Sequence, residues 1–214
     1  TLAREGHDHP VGINYLEKIQ LPHLPSIYGA MLAGVAVIVV GAGIPLEFPR
    51  VLGAMSRHQP SRYALQVTGL SHGDSPCVSF DPRAYWEEGQ ELDELERPAF
   101  LPIVATDTLA RIMAKRATGG IDGFVVEAPT AGGHNAPPRR GGLFTEDGQP
   151  LYGERDIANL EVVRDLGLPF WLAGSYGTPE RLRDALDAGA AGVQVGTAFA
   201  LSEDSGLKDE FRRE

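Results

Sequence analysis

The chain has 214 residues, 43% of them hydrophobic, which suffices for one large core or at most two small ones. Its formal net charge is −10, from 29 acidic against 19 basic residues, and this argues against nucleic acid or an anionic membrane as a partner. Cys77 is the single cysteine, so no internal disulfide can form and a reducing, cytoplasmic setting is expected.

In chain order, short apolar runs alternate with amphipathic ones, the pattern of a parallel sheet covered by helices. Val11–Asn14 reads as a strand. Leu24–Gly34 reads as a helix that starts at Pro25–Ser26 and closes at Gly34. Val35–Gly43 is apolar on both faces, as a central parallel strand should be, and a short helix is expected after Pro45. The longest apolar run, AMLAGVAVIVVGAGIPL, is broken by glycines and ends near Pro45, so no membrane span is expected. Between about residues 59 and 98 the alternation breaks: RYALQVTGL and CVSFDP read as a hairpin, and YWEEGQELDELER as an exposed charged stretch. We read this segment as an excursion from the main fold. Regularity returns with a strand in FLPIVAT, a helix from Asp107 as its N-cap, and a strand in IDGFVVEAP. A long loop, Thr130–Glu154, precedes a helix over RDIANLEVVRDLG, a strand in LPFWLAG, a helix over TPERLRDALDAGA and a strand in AGVQVGT. The amphipathic stretch SGLKDEFRRE closes the chain. Six strand–helix units result, whereas a closed (β/α)₈ barrel typically takes ~250 residues. Either the sheet is open and doubly wound, or a barrel lacks two units.

Two glycine-rich turns follow consecutive strands. Gly174, Ser175 and Gly177 precede a helix capped by Thr178, and Gly196 and Thr197 follow the next strand, just beyond Gln194. Successive amides at such turns, backed by a helix dipole, bind a dianion without a lysine. On the same carboxyl edge, Gly132 and Gly133 allow close approach of backbone to a planar ligand, and His134 can exchange a proton near neutral pH. Asn14, Gly41 and Glu127, each read as ending a strand, are candidates for the substrate pocket; Glu127 serves equally well as a cap or ion-pair partner. Arg139 and Arg140 could face an anionic substrate or solvent. His7, His9 and His23 fit no standard metal spacing, so no metal is expected. No Walker loop, Rossmann fingerprint or Ser–His–Asp order is present.

The segments VVEAPTAGGH, LPFWLAGSYGTPERL and AGVQVGTAFAL resemble the nitronate monooxygenase (2-nitropropane dioxygenase) family of FMN-dependent (β/α)₈ barrels, which also contains flavin-dependent enoyl reductases of fatty acid and polyketide synthesis. The resemblance runs from about Val11 to the end, the excursion excepted. It implies a TIM-barrel type fold in which the first two of eight βα units are absent, a partial FMN-binding domain over 1–214 with an insertion at about 59–98. It implies that Gly174, Ser175, Gln194, Gly196 and Thr197 hold FMN, that Gly132 and Gly133 face the flavin, and that His134 is the catalytic acid or base. O₂ or NAD(P)H would be the redox partner of a small-molecule substrate, and a homo-oligomer is possible within the family. Two positions depart from the family: Thr130 stands where an acidic residue is usual, and Asn135 where a glycine is common. An enoyl reductase, a phosphate-binding isomerase or lyase using Glu127 and His134, and an inactive fragment stay open beside the monooxygenase reading.

Overall fold

The computed structural model describes residues 2–69, 71, 73–132, 136–139 and 144–213. They fold as two compact units, Thr1–Pro102 with Ile112–Asp122, and Ile103–Arg111 with Gly123–Glu214.

In the first unit, β1 (Gly12–Leu16) lies parallel to β2 (Val37–Gly41), in register from Gly12↔Val37 to Leu16↔Gly41. The connecting helix α1 (His23–Leu32) begins before Pro25 rather than at it. Proline is tolerated there because the first four amides of a helix have no intrahelical acceptor. Gly34, at φ +69°, ends the helix: its N–H donates to Met31 O (2.9 Å), and the Val35 N–H donates to Ala30 O (3.1 Å). Helix α2 (Phe48–Ser56) closes in the same way, but with His58 in the left-handed position at φ +54°. Its buried ring offsets that strain. Nε2 must donate to the Asp93 carbonyl (2.8 Å), so Nδ1 accepts from the Tyr28 hydroxyl (2.8 Å), which itself accepts from Trp86 Nε1 (2.8 Å).

The segment read as an excursion contains a hairpin, β3 (Ser61–Ala64) antiparallel to β4 (Cys77–Phe80). A buried polar network ties it to the chain just after β1. The Tyr63 hydroxyl donates to both oxygens of Glu17 (2.6 and 2.7 Å), Gln20 Nε2 donates to Glu17 Oε1 (3.3 Å), and the Gln66 N–H donates to Gln20 Oε1 (2.7 Å). Around it lie the fully buried side chains Leu24, Ile27, Ile38, Leu52 and Met55, and a stacked pair, Phe48 and Phe100, with centroids 5.8 Å apart. Each such side chain contributes ~1.5–3 kcal/mol by leaving water. The third strand is β5 (Ala99–Val104), whose first residues pair parallel with β2, Val37↔Ala99 to Val40↔Pro102.

In the second unit, the end of β5 pairs with β6 (Phe124–Glu127), β6 with β7 (Phe170–Ala173), and β7 with β8 (Gly192–Gln194), all parallel. Strand order follows chain order in both units, without the reversal that defines a doubly wound sheet. The fold is therefore of the (β/α)₈ type, with six barrel strands among the described residues. Helix α3 (Asp107–Arg116) is capped one residue earlier than expected, by Thr106 Oγ1, which accepts the Leu109 N–H (3.1 Å). The helix expected over 155–167 is split. A 3₁₀ turn at Glu154–Asp156 precedes the short α4 (Leu160–Arg164), because Asn159 Oδ1 accepts the amides of Glu161 and Val162 and so starts a new helix. Helix α5 (Pro179–Asp187) has the expected cap at Thr178 and ends at Gly189, φ +89°. The short helices α6 (Thr197–Ala200) and α7 (Asp209–Arg212) complete the unit. Among the described residues, no helix is long and apolar enough to cross a membrane, and no three His, Cys, Asp or Glu side chains gather to hold a metal.

Burial holds the Glu17 carboxyl above the usual range, outweighing the hydrogen bonds from Tyr63 and Gln20. A raised folded-state pKa means that this group's contribution to stability is complete below the ordinary glutamate pKa and is lost as pH rises through the folded value. Glu17→Gln keeps an acceptor and removes the titration. The variant should gain stability relative to the native chain as pH rises from 4 to 7, measured by denaturant unfolding at several pH values; a constant difference would show that Glu17 does not titrate in this way.

Candidate functional site

Glu127, Ala173 and Gln194 end β6, β7 and β8 in one line of register, Glu127↔Ala173↔Gln194. The three strand ends are level, so the turns that follow them meet. There they line one cleft of about 530 Å³, bordered by Glu127, Thr130 and Gly132, by Gly174 to Thr178, and by Gln194 to Ala198. The sequence candidates Glu127, Gly132, Gly174, Ser175, Gln194, Gly196 and Thr197 all lie on it. Gly133 and His134 fall outside the described residues, as do Asn135 and Arg140. Asn14 and Gly41 belong to the first unit and are not among the lining residues. Asn14 moreover sits in the middle of β1 rather than at its end, because the strand continues through Tyr15 and Leu16 to pair with Val40 and Gly41.

Main-chain conformation shapes the cleft. Gly174 adopts φ +102°, and a Cβ there would stand 3.0 Å from both Ala128 Cβ and the Ala131 nitrogen. Ser175 follows at φ +59°, an uncommon conformation for a residue with a side chain. Its hydroxyl donates to the Thr130 carbonyl (3.1 Å), while Thr130 Oγ1 donates to the Gly174 carbonyl (3.4 Å). The Ser175 hydroxyl proton, which the sequence suggests for an anion, is thus spent on holding two loops together. Gly132 is close enough to Thr197 that a Cβ would crowd its Oγ1. Gly196 is different: at φ −116° it needs no special freedom, and a Cβ there would meet nothing within 4 Å. Among the described residues, the amides of Ser175, Tyr176, Gly177, Gly196 and Thr197 donate to no protein acceptor. Five unengaged N–H groups beside one cleft suit an anion with several oxygens, such as a phosphate ester.

The long loop between β6 and α4 is organised by Asp156, which the sequence reading missed. Its Oδ1 accepts the Arg139 N–H (2.7 Å) and its Oδ2 the Gly153 N–H (2.8 Å), and these bonds hold its carboxyl below the usual range. The Tyr152 hydroxyl donates to the Ala136 carbonyl (3.1 Å), and Phe144 pairs with Pro150 inside the loop. Gly153–Asp156 has the spacing of the acidic half of a capping box, a legible signal. Nothing local announces the contact with Arg139.

This is a (β/α)₈-type fold with an anion-adapted cleft at the carboxyl ends of its last strands, where phosphates are held in such folds. The model of the family described as nitronate monooxygenase matches residues 50–214, and the chain belongs to that family. It is 35% identical over 97 residues to a nitronate monooxygenase of Pseudomonas aeruginosa, covering 44% of this chain and 25% of that protein. A probable nitronate monooxygenase of Staphylococcus saprophyticus is 26% identical over 140 residues, 64% of this chain and 37% of that protein. The chain thus spans well under half the length of these curated relatives. The structure of FabK from Thermotoga maritima superposes with a TM-score of 0.60 at 19% identity, over 99% of this chain and 49% of that one.

The contrast between two glycines is testable by stability alone. Gly174→Ala places a side chain in the left-handed region against main-chain atoms and should cost about 1–3 kcal/mol. Gly196→Ala should stay within about 0.5 kcal/mol of the native value. Denaturant unfolding of the two variants reads the difference, and equal losses would refute the account of both positions.

Proposed function

We propose that this chain carries the flavin-binding part of an FMN-dependent oxidoreductase that oxidises nitroalkanes or nitronates with O₂. The supporting observation is the single cleft on which Gly132, Gly174, Ser175, Gln194, Gly196 and Thr197 meet, with five main-chain amides that have no protein acceptor among the described residues. Family membership supports the same reading.

In this reading the amides of Ser175, Gly177, Gly196 and Thr197 receive the FMN phosphate, and the absent Cβ of Gly196 leaves room for it. Gly132 and Gly133 lie against the ring system, with Gln194 beside it. FMN, when bound, supplies the electron-accepting group of the reaction. His134 takes the proton α to the nitro group of a neutral substrate, a general-base role to which histidine is suited near neutral pH. Glu127 contacts the substrate from the end of β6. Residues 1–214 act as one FMN-binding domain, with 59–98 as its insertion.

Anaerobic mixing of the flavin-loaded full-length protein with a nitroalkane, and separately with NAD(P)H, tests the proposal. Bleaching of the flavin absorbance by the nitroalkane, and reoxidation by O₂, is the expected result. Bleaching by NAD(P)H alone, followed by turnover with an enoyl thioester, would favour an enoyl reductase instead. His134→Ala should lower turnover of a neutral nitroalkane by about 10²-fold or more while sparing a preformed nitronate, which needs no base. Gly196→Val should release FMN on dialysis; full retention would count against the phosphate cradle.

A further inference from the structure

Glu127 lines a second, smaller recess as well as the main cleft, and this recess has an apolar wall. Its lining comes from the residues following β5 and β6, Ala105, Ala128 and Pro129, and from the loop residues Ala136 and Pro137. The other polar side chains at the recess are largely engaged elsewhere. Thr106 Oγ1 caps α3, the Tyr152 hydroxyl donates to the Ala136 carbonyl, and both Asp156 oxygens accept main-chain amides. Arg139 is exposed to solvent. What remains for a ligand is mostly carbon. The free volume is about 30 Å³. At roughly 10–15 Å³ for each water-sized group, that holds about two or three carbon atoms.

We propose that this recess receives the short alkyl end of the substrate whose reacting group occupies the neighbouring cleft, and that Asp156 is the positioning residue that sets its width. This rests on the reading of the cleft as the redox site. Asp156 holds the Arg139 and Gly153 amides at once, and so fixes the turn carrying Ala136 and Pro137 against the strand ends. An alkyl group of two or three carbons gains contact on both walls. A longer chain must push the turn outward against those two hydrogen bonds.

The experiment compares nitroethane, 1-nitrobutane and 1-nitrohexane in the full-length, flavin-loaded protein and in two variants, with flavin occupancy confirming that each variant has folded. Ala105→Leu fills the recess, and the ratio of kcat/KM for 1-nitrobutane over nitroethane should fall by about tenfold, the usual effect of denying a small apolar group its pocket. Asp156→Ala frees the outer wall, and 1-nitrohexane should gain on 1-nitrobutane by several-fold, with Asp156→Asn, which keeps one acceptor oxygen, falling between. Ratios unchanged in both variants would overturn the proposal, since a merely structural role of either residue lowers all substrates together. Should the native protein oxidise no nitroalkane, the nitroalkane reading fails by itself. The recess is then tested by anaerobic saturation-transfer NMR with 1-nitrobutane. Saturation of its terminal methyl in the native protein and not in Ala105→Leu supports the recess, whereas equal or no saturation in the two refutes it.

Discussion

The parallel register of three short strands is the constraint on which the site depends. Parallel pairing brings Glu127, Ala173 and Gln194 level, so that three successive connections leave the sheet at the same height and on the same edge. A slip of one residue would turn every side chain of a strand to the opposite face. Paired aromatic and branched residues oppose such a slip: Phe124 stands against Phe170, Val125 against Trp171 and Val126 against Leu172, and most of these are buried. The apolar interior thus fixes the height of the turns, and the turns supply the polar chemistry.

At those turns the backbone rather than the side chains shapes the cleft. Two consecutive residues in the left-handed region, Gly174 and Ser175, redirect the chain after β7, and the reciprocal hydrogen bonds between Thr130 and the Gly174–Ser175 pair hold that shape. Those hydrogen bonds offset the cost of the strained serine and, among the described residues, leave the neighbouring amides unengaged beside the cleft. A ligand that binds such amides meets donors already oriented, so little ordering remains at the moment of binding. The same economy explains how a chain with net charge −10 can offer an anion a favourable place: the donors are dipoles of the main chain, and they need no basic side chain.

In the first unit, side-chain polarity serves the fold instead. Glu17, Tyr63 and Gln20 form one buried network, and Trp86, Tyr28 and His58 another. Both join the segment from 59 to 98 to the region of α1. Buried polar groups are costly unless paired, and apart from the local Gln20–Glu17 bond the pairings here join residues far apart in sequence. That segment therefore has one defined seat although its own strands are only four residues each.

Periodicity in the sequence already determined the alternation of strands and helices, their chain order and the glycine-rich turns after β7 and β8, because these follow from local apolar patterning and from the φ that glycine allows. It also carried the family, through motifs whose residues lie close together in the chain. The tertiary structure alone decided that Asn14 is interior to its strand, that Ser175 gives its hydroxyl to Thr130, and that Asp156 organises a loop from seventeen residues away. It also separated the glycine that the fold requires, Gly174, from the one it does not, Gly196. The physical reason is the same in each case. A pattern along the chain reports which conformations a residue favours, whereas the partner of a hydrogen bond, or the atom that a missing Cβ would strike, comes from a distant segment brought close only by folding.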